Sequence, residues 1–359
     1  MTTLAELLEQ TVALGGSDLH LTTGTPPRVR VDGLLRPLDR PSLLAADMTP
    51  LACSMLTGAQ ALRFEESGEL DCAFGFGTLG RFRCNLFTQR GAVAAVYRVI
   101  PERIRTCAEL GLPPAVEAFA RRPHGLVLVT GPTGSGKSMT IAALIDSINS
   151  EREGHILTVE DPIEYIHPHK RCLVNQREIH SDTRTFAGAL RAALREDPDV
   201  VLIGEMRDLE TIEAALRIAE TGHLTFGTLH TSSAVQTITR VIDVFPAHQQ
   251  AQVRTQLSLV LEGVVCQSLV PRIGGGRVAA LEILVPTVAI RNLVREDKIH
   301  QIYSAMQTGQ DKVGMQTLNQ CLARLCTGGQ ITVEAAMRLS SRGDELQEML
   351  ARRAGAPQA

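Results

Sequence analysis

Short apolar runs recur through the middle of the chain, and most of them are rich in β-branched residues. They are apolar at successive rather than alternate positions, which is typical of strands buried on both faces of a parallel sheet. The runs are GLVLVTG from residue 125, HILTVED from residue 155, DVVLIGE from residue 199 and LTFGTLH from residue 224. Helical patterns separate them, so the order of elements predicts an α/β fold.

The segment DLETIEAALRIAETGH illustrates the helical pattern. Ile212, Ala215, Leu216 and Ala219 recur at helical spacing and would form one buried face, and Gly222 would end the helix. Strand and helix therefore follow one another, as a parallel sheet requires.

The N-terminal part of the chain has a different pattern of elements. Residues 1–100 hold an amphipathic stretch, LAELLEQTVAL, and then short strand-like pieces separated by Gly and Pro, which predicts a small α+β domain. Prolines at 101, 113 and 114 predict a linker over 101–115. We assign the α/β core to 116–270 and a mainly helical region to 271–359.

Two segments of the helical region show apolar stripes. In MQTLNQCLARLCTGGQIT the stripe comprises Met315, Leu318, Leu322 and Leu325, which predicts core packing. In AIRNLVRE, at 289–296, the residues predicted to share one apolar face are Ala289, Ile290, Leu293 and Val294.

Composition narrows the function classes. The chain of 359 residues has 36 basic and 39 acidic residues, and only 3% of its residues are aromatic. Neither the nearly equal numbers of basic and acidic residues nor the low aromatic content favours nucleic-acid binding. The sequence contains no apolar run of about 18 residues and no signal peptide. We therefore expect a cytoplasmic protein. The eight cysteines form no C-x-x-C pair, which argues against a zinc site.

The stretch LVTGPTGSGKSMT contains the phosphate-loop pattern G-x-x-x-x-G-K-S between a strand-like run and a helical segment. Glycines allow backbone N–H groups to surround phosphate, Lys137 can reach the β- and γ-phosphates, and Ser138 can bind Mg²⁺. The predicted nucleotide contacts are Gly131, Pro132, Thr133, Gly134, Ser135, Gly136, Lys137, Ser138 and Met139.

Carboxylates follow two of the predicted strands. Glu205 ends the run DVVLIGE, where it could hold Mg²⁺ or orient water, and Glu160, Asp161 and Glu164 follow the run HILTVED. One of these three could polarise the attacking water, and their spacing leaves open which one. Two histidines, His223 and His230, flank the run LTFGTLH and could hydrogen-bond a γ-phosphate or serve only a structural role.

Three arginines in the N-terminal part could add positive charge to a nucleotide site. Strand alternation places Arg81 and Arg83 on one face, and Arg98 lies in a neighbouring run. A solvated strand face is the alternative reading.

Taken together, GPTGSGKS, TVEDPIEY, VVLIGEMRD and TGHLTFGTLHTSSA resemble the Walker A, Asp box, Walker B and His box of the secretion ATPase superfamily that powers type II secretion and type IV pili. The start, GGSDLHLTTGTPPRVRVDG, is similar to the PAS-like domain of these motors. The resemblance implies an α/β fold in which a RecA-like P-loop ATPase domain follows a small PAS-like α+β domain and precedes a helical C-terminal region.

The same resemblance implies roles for individual residues. Glu164 and Glu205 would be catalytic or bind magnesium, with Ser138 as a second metal ligand, and His223 and His230 would sense the γ-phosphate. Arg81, Arg83 and Arg98 would act on nucleotide from the small domain.

Within the superfamily, AIRNLVRE resembles a late motif of the pilus retraction motors. The chain also lacks the longer N-terminal region and tetracysteine site of the assembly ATPases. We therefore expect a hexameric ATPase that uses ATP and Mg²⁺ to drive type IV pilus retraction at an inner-membrane platform protein, without nucleic acid. The alternatives are an accessory ring that regulates a paralogous retraction ATPase and a nucleic-acid translocase.

Overall fold

The computed structural model describes residues 2–77, 79–308 and 313–354. It divides into two compact units. The first comprises Met1–Arg103 together with the short segment Asp161–Ile166, and the second comprises Ile104–Glu160 and His167–Ala359.

The first unit is built on a six-stranded antiparallel sheet in the order β3-β2-β1-β6-β5-β4. Its helices pack on the sheet around a core that includes Leu7, Phe82 and Tyr97. The small α+β unit predicted from the sequence is confirmed. The elements are α1 (Leu4–Ala13), β1 (Asp18–Leu21), β2 (Arg28–Val31), β3 (Leu34–Pro37), α2 (Ala45–Ala52), α3 (Gly58–Ser67), β4 (Glu69–Gly75), β5 (Arg81–Gln89) and β6 (Ala92–Ile100).

The second unit contains a seven-stranded sheet in the order β13-β12-β7-β11-β10-β8-β9. All neighbouring strands are parallel except β13, which is antiparallel to β12. Every residue of β7, β10 and β11 is buried, as their continuous apolar runs predict. The strands are β7 (Gly125–Thr130), β8 (His155–Glu160), β9 (Leu173–Glu178), β10 (Val200–Ile203), β11 (Leu224–Leu229), β12 (Leu261–Pro271) and β13 (Arg277–Leu284).

Helices connect and follow these strands, which confirms the predicted α/β class. They are α4 (Pro114–Glu117), α5 (Lys137–Glu151), α6 (Phe186–Ala193), α7 (Leu209–Glu220), α8 (Ala234–Asp243), α9 (Ala247–Val260), α10 (Val288–Arg295), α11 (Ile302–Thr308), α12 (Leu318–Thr327), α13 (Val333–Leu339) and α14 (Gly343–Ala354). Short 3₁₀ turns span Ala118–Arg121 and Ile299–Gln301. In the described part of the chain, none of these helices has the length and apolar character needed to span a membrane.

Two predicted apolar stripes need correction. Met315 does not belong to α12, because the side chain of Thr317 accepts a hydrogen bond from the Gln320 N–H and starts the helix after it. In α10 the buried residues are Ile290 and Val294, whereas Ala289 is exposed in the first turn.

Candidate active site

Three of the predicted motifs meet at one edge of the second sheet. The phosphate loop follows β7, Glu205 lies two residues after β10, and His230 directly follows β11. These strands are parallel neighbours, and Thr130 at the end of β7 lies opposite Leu229 at the end of β11. The carboxyl ends of parallel strands are where ligands bind in open α/β sheets.

The phosphate loop, residues 131–136, joins β7 to α5 through a backbone that favours glycine. Gly131 and Gly136 have φ angles of 140° and 88°. The Lys137 ammonium donates to the carbonyl oxygens of Gly131 at 2.6 Å and Pro132 at 3.1 Å. The amino end of a 15-residue helix and an adjacent cation make this loop suitable for phosphate groups.

The other predicted contacts of the loop differ in exposure. Pro132, Thr133, Gly134 and Ser138 are exposed, whereas Ser135 is buried. Among the described residues, the hydroxyl oxygen of Ser135 has no hydrogen-bond partner, and an unsatisfied buried hydroxyl is unfavourable. This hydroxyl can therefore form a hydrogen bond with a ligand, or with another group if the loop rearranges.

The structure brings Glu205 and His230 into direct contact. Glu205 Oε1 lies 2.8 Å from His230 Nε2 and 2.5 Å from Arg207 Nε. Burial would raise the pKa of the Glu205 carboxyl, but its contacts with Arg207 and His230 outweigh burial, so the pKa lies below its ordinary value. The carboxylate is therefore ionised at neutral pH and can act on a cation or on water.

These groups line a cleft with a volume of about 530 Å³. Its other lining residues are Met206, Leu229, Thr231 and Arg240. The cleft is supported by the adjacent strand, because the Met206 N–H donates to the carbonyl of Thr228 at 2.9 Å.

A row of hydroxyls connects the His-box segment with the phosphate loop. Thr231 Oγ1 lies 2.7 Å from Thr237 Oγ1, which lies 3.5 Å from Thr130 Oγ1. Thr130 directly precedes Gly131, so these contacts hold the two motifs against one another.

His223 is not part of this edge. It precedes β11, whereas His230 follows it, so the two are separated by the length of the strand, about 20 Å. The His223 ring contacts the carbonyl of Ile218 at 3.0 Å and the hydroxyl of Thr221 at 3.1 Å. The structure thus does not bring His223 to the phosphate loop of its own chain, and its predicted role stays a prediction.

The carboxylates of TVEDPIEY are divided between the two units. Glu160 ends β8 in the second unit, where it accepts hydrogen bonds from Thr158 at 2.7 Å and Gln176 at 3.2 Å. Asp161 and Glu164 belong to the first unit. Sequence spacing could not separate these three residues, but Glu160 accepts hydrogen bonds from two neutral side chains of its own unit.

The three predicted arginines share one face of the first sheet. Arg81 and Arg83 are two positions apart on β5, so they lie on the same face of the sheet. Arg83 lies directly opposite Arg98 on β6. Arg83 contacts Glu164 at 3.1 Å, and Arg81 donates to the carbonyl of Ile163 at 3.0 Å. Glu164 is therefore paired with Arg83, and both belong to the residues predicted to be catalytic.

Two aspartates hold the arginine face in place. Asp71 accepts two hydrogen bonds from Arg83, at 2.6 and 3.1 Å. Asp18, which is only 5% exposed, contacts Arg98 at 2.8 Å. Burial acts to raise the pKa of Asp18, but Ser17 and Arg98 hold it below its ordinary value. Sequence patterns gave no signal for either aspartate.

The residues predicted to hold a metal fit a magnesium ion chemically. The Ser138 hydroxyl is exposed in the first turn of α5, and the Glu205 carboxylate is ionised. Both supply oxygen, the ligand atom that Mg²⁺ prefers alongside substrate phosphates.

Comparison with known proteins covers both units. The family model of the type II/IV secretion system protein matches residues 2–275. The "Type IV pilus retractation ATPase PilT" of Pseudomonas aeruginosa is 53% identical over 333 residues, which cover 93% of this chain and 96% of that protein. The "Type IV pilus ATPase PilU" of the same organism is 40% identical, over 96% of this chain and 90% of that protein.

A solved structure supports the same relationship. The crystal structure of the pilus retraction motor PilT with bound ADP superposes with a TM-score of 0.90, at 52% identity, and covers 97% of this chain and 100% of that one. The chain belongs to the type II/IV secretion system protein family, as an ATPase-type member similar over nearly its whole length to pilus retraction ATPases.

Proposed function

We propose that the chain is the ATPase motor of type IV pilus retraction. The observation that carries the proposal is the match to the retraction ATPase, which spans both units and is higher than the match to PilU. The phosphate loop beside an ionised carboxylate and a histidine supports ATP as the substrate.

In this proposal each motif has a separate task. The N–H groups of residues 133–139 surround the phosphates, and Lys137 leaves the carbonyls of Gly131 and Pro132 for the β- and γ-phosphates. Glu205 orients the attacking water or the metal, and His230 contacts the γ-phosphate. Because Glu205 and His230 contact each other, a movement of one side chain affects the position of the other.

Ser138 and Glu205 would hold Mg²⁺, which neutralises phosphate charge when it is bound. Glu164 polarises water once it is released from Arg83. In a ring of identical subunits, Arg81, Arg83, Arg98 and His223 act on the nucleotide of a neighbouring subunit. Such an arrangement makes hydrolysis depend on assembly.

The proposed assembly is a homohexamer bound to a platform protein at the inner face of the cytoplasmic membrane. Nucleotide turnover moves the platform so that pilin leaves the base of the fibre. The segment 289–296 would connect turnover with this movement, because it lies outside the nucleotide motifs and α10 presents exposed Val288 and Ala289.

The second candidate is an accessory ring of the PilU type that binds nucleotide and regulates a partner motor. Steady-state ATP turnover by the purified full-length protein separates the two. A motor should hydrolyse ATP continuously without a partner, and Lys137→Ala should abolish this turnover. Nucleotide binding with no turnover above that of Lys137→Ala would favour the accessory ring.

A further inference from the structure

We infer that Gln267 is a positioning residue of the phosphate loop, which sets the direction of the loop's N–H groups toward the nucleotide. The inference rests on the proposed nucleotide site. Gln267 lies on β12, more than 120 residues after the loop, and it is only 4% exposed.

The side-chain amide of Gln267 makes two short hydrogen bonds. Its Nε2 donates to the carbonyl of Ser135 at 2.7 Å, and its Oε1 accepts from the hydroxyl of Thr140 at 2.7 Å. Because a carbonyl can only accept, the orientation of the amide is fixed by Ser135. One side chain thus holds both the loop and the first turns of α5.

The contact with Ser135 determines where the next N–H points. A trans peptide is planar, so the carbonyl of Ser135 and the N–H of Gly136 point in opposite directions. With the carbonyl held by Gln267, the Gly136 N–H is directed away from β12. The carbonyl oxygen, which would repel phosphate, cannot turn toward the ligand without losing a buried hydrogen bond.

Gln267 also explains why both ends of the loop are glycine. A Cβ atom at Gly131 would lie 2.1 Å from the backbone oxygen of Gln267, and one at Gly136 would lie 2.9 Å from its Nε2. Both contacts are closer than carbon atoms allow, and the first is with rigid backbone. The glycines therefore admit β12 and its amide against the loop, in addition to permitting positive φ.

The register between β12 and β7 places Gln267 next to the phosphate loop. Cys266 of β12 lies opposite Thr130, the last residue of β7, so Gln267 lies beside the start of the loop. A polar amide in a strand whose neighbours Val264, Val265 and Cys266 are all buried must find partners. The loop and Thr140 are those partners.

The test compares full-length variants with a matched control. Gln267→Met keeps the size and removes the amide, Gln267→Glu keeps an acceptor for Thr140 and removes the donor to Ser135, and Thr140→Val removes only the hydroxyl. The control is Gln316→Met, because Gln316 is 3% exposed and its amide donates to the carbonyl of Leu281 at 2.9 Å. ADP affinity, kcat, KM for ATP and urea unfolding without nucleotide are measured for each.

We expect Gln267→Met and Gln267→Glu to weaken ADP binding and raise KM at least tenfold, and Thr140→Val to do so about threefold. Gln316→Met should stay within twofold for both quantities even if its stability falls equally. Normal ADP affinity in the Gln267 variants, or equal losses in Gln316→Met, would overturn the inference. If Gln267→Met does not fold, normal ADP affinity in both Gln267→Glu and Thr140→Val would also overturn the inference.

Lys137→Ala, measured in parallel, separates this inference from the proposed function. If Lys137→Ala loses nucleotide while the Gln267 variants keep it, only the role of Gln267 is wrong. If Lys137→Ala keeps wild-type binding and turnover, the nucleotide site itself is wrongly placed.

Discussion

Glu164 Oε1 lies 3.1 Å from Arg83 Nη1, although the two residues are 81 positions apart in the sequence. Both were predicted to act on nucleotide, and here each neutralises the other. Asp71 binds the same guanidinium from the opposite strand, at 2.6 Å. The arginine therefore has one acidic partner with a predicted catalytic role and one without.

This pair of partners provides a test of Glu164. We predict that Glu164→Gln lowers kcat at least 100-fold and leaves ADP affinity within threefold, because it removes the group proposed to act on water. Asp71→Asn removes a closer partner of Arg83 and should lower kcat less than fivefold. Equal effects of the two variants on kcat would mean that Glu164 serves only to hold Arg83.

Glu205 gives a second prediction. Since its carboxylate is proposed to act on magnesium or water rather than on the phosphates, Glu205→Ala should bind ADP and lose more than 99% of turnover. Glu196→Ala, which removes a half-exposed carboxylate paired with Arg177 in the same unit, is the control and should keep near-normal kcat. If Glu205→Ala loses ADP binding as well, the residue has a structural role.

Stability should fall in weak acid because of His167. Burial lowers the pKa of this imidazole to about 4 from its ordinary 6.5. The folded state therefore favours the neutral ring, and its contribution is complete above pH 6.5 and is lost as the pH falls toward 4. The expected loss is about 2–3 kcal/mol of unfolding free energy.

Urea unfolding of the second unit at pH 7 and pH 4.5 measures this effect. His167→Gln should unfold with a smaller difference between the two pH values than the wild type. The exposed His248→Gln should show the wild-type difference. An unchanged difference in His167→Gln would contradict the assignment.

The exposed side of α10 is expected to connect turnover with retraction. Val294 is 1% exposed, so polar replacement there would disrupt the core. Ala289 and Arg295 are exposed, and replacing them together by Asp and Glu should abolish twitching while the purified protein keeps at least half of its ATPase activity. Arg338→Glu, on an exposed side of α13, should twitch normally. Normal twitching in the double variant, or loss of its ATPase activity, would return the segment to an ordinary packing role.

The sequence predicted those features whose causes are local. Continuous apolar runs identified β7, β10 and β11, and the phosphate-loop glycines and Lys137 lie within one short stretch. Once parallel strands are assumed, Glu205 and His230 are expected at the same carboxyl end of the sheet, because each follows a strand. Their contact also requires β10 and β11 to be neighbours, which the structure shows.

Features that depend on distant residues were missed. Gln267 contacts the loop across 132 positions, and its only local signal is a polar residue directly after the buried run Val264–Cys266. His223 and His230 look equivalent in the sequence, but β11 lies between them and places them at its opposite ends. Helical spacing placed Met315 on the stripe of α12 because it does not specify that Thr317 starts the helix. It also placed Ala289 on the buried face of α10, although Ala289 is exposed in the first turn.

The central claim is that nucleotide hydrolysis at this phosphate loop powers retraction. Its most direct test replaces the chromosomal codon in the organism that encodes the chain, and compares twitching and surface piliation of Lys137→Ala with those of Lys170→Ala. Lys170 is a lysine of the same unit that pairs with Asp146 at 2.7 Å. We predict that Lys170→Ala cells twitch normally, whereas Lys137→Ala cells express the protein, retain surface pili and do not twitch. Normal twitching by Lys137→Ala cells would contradict the account.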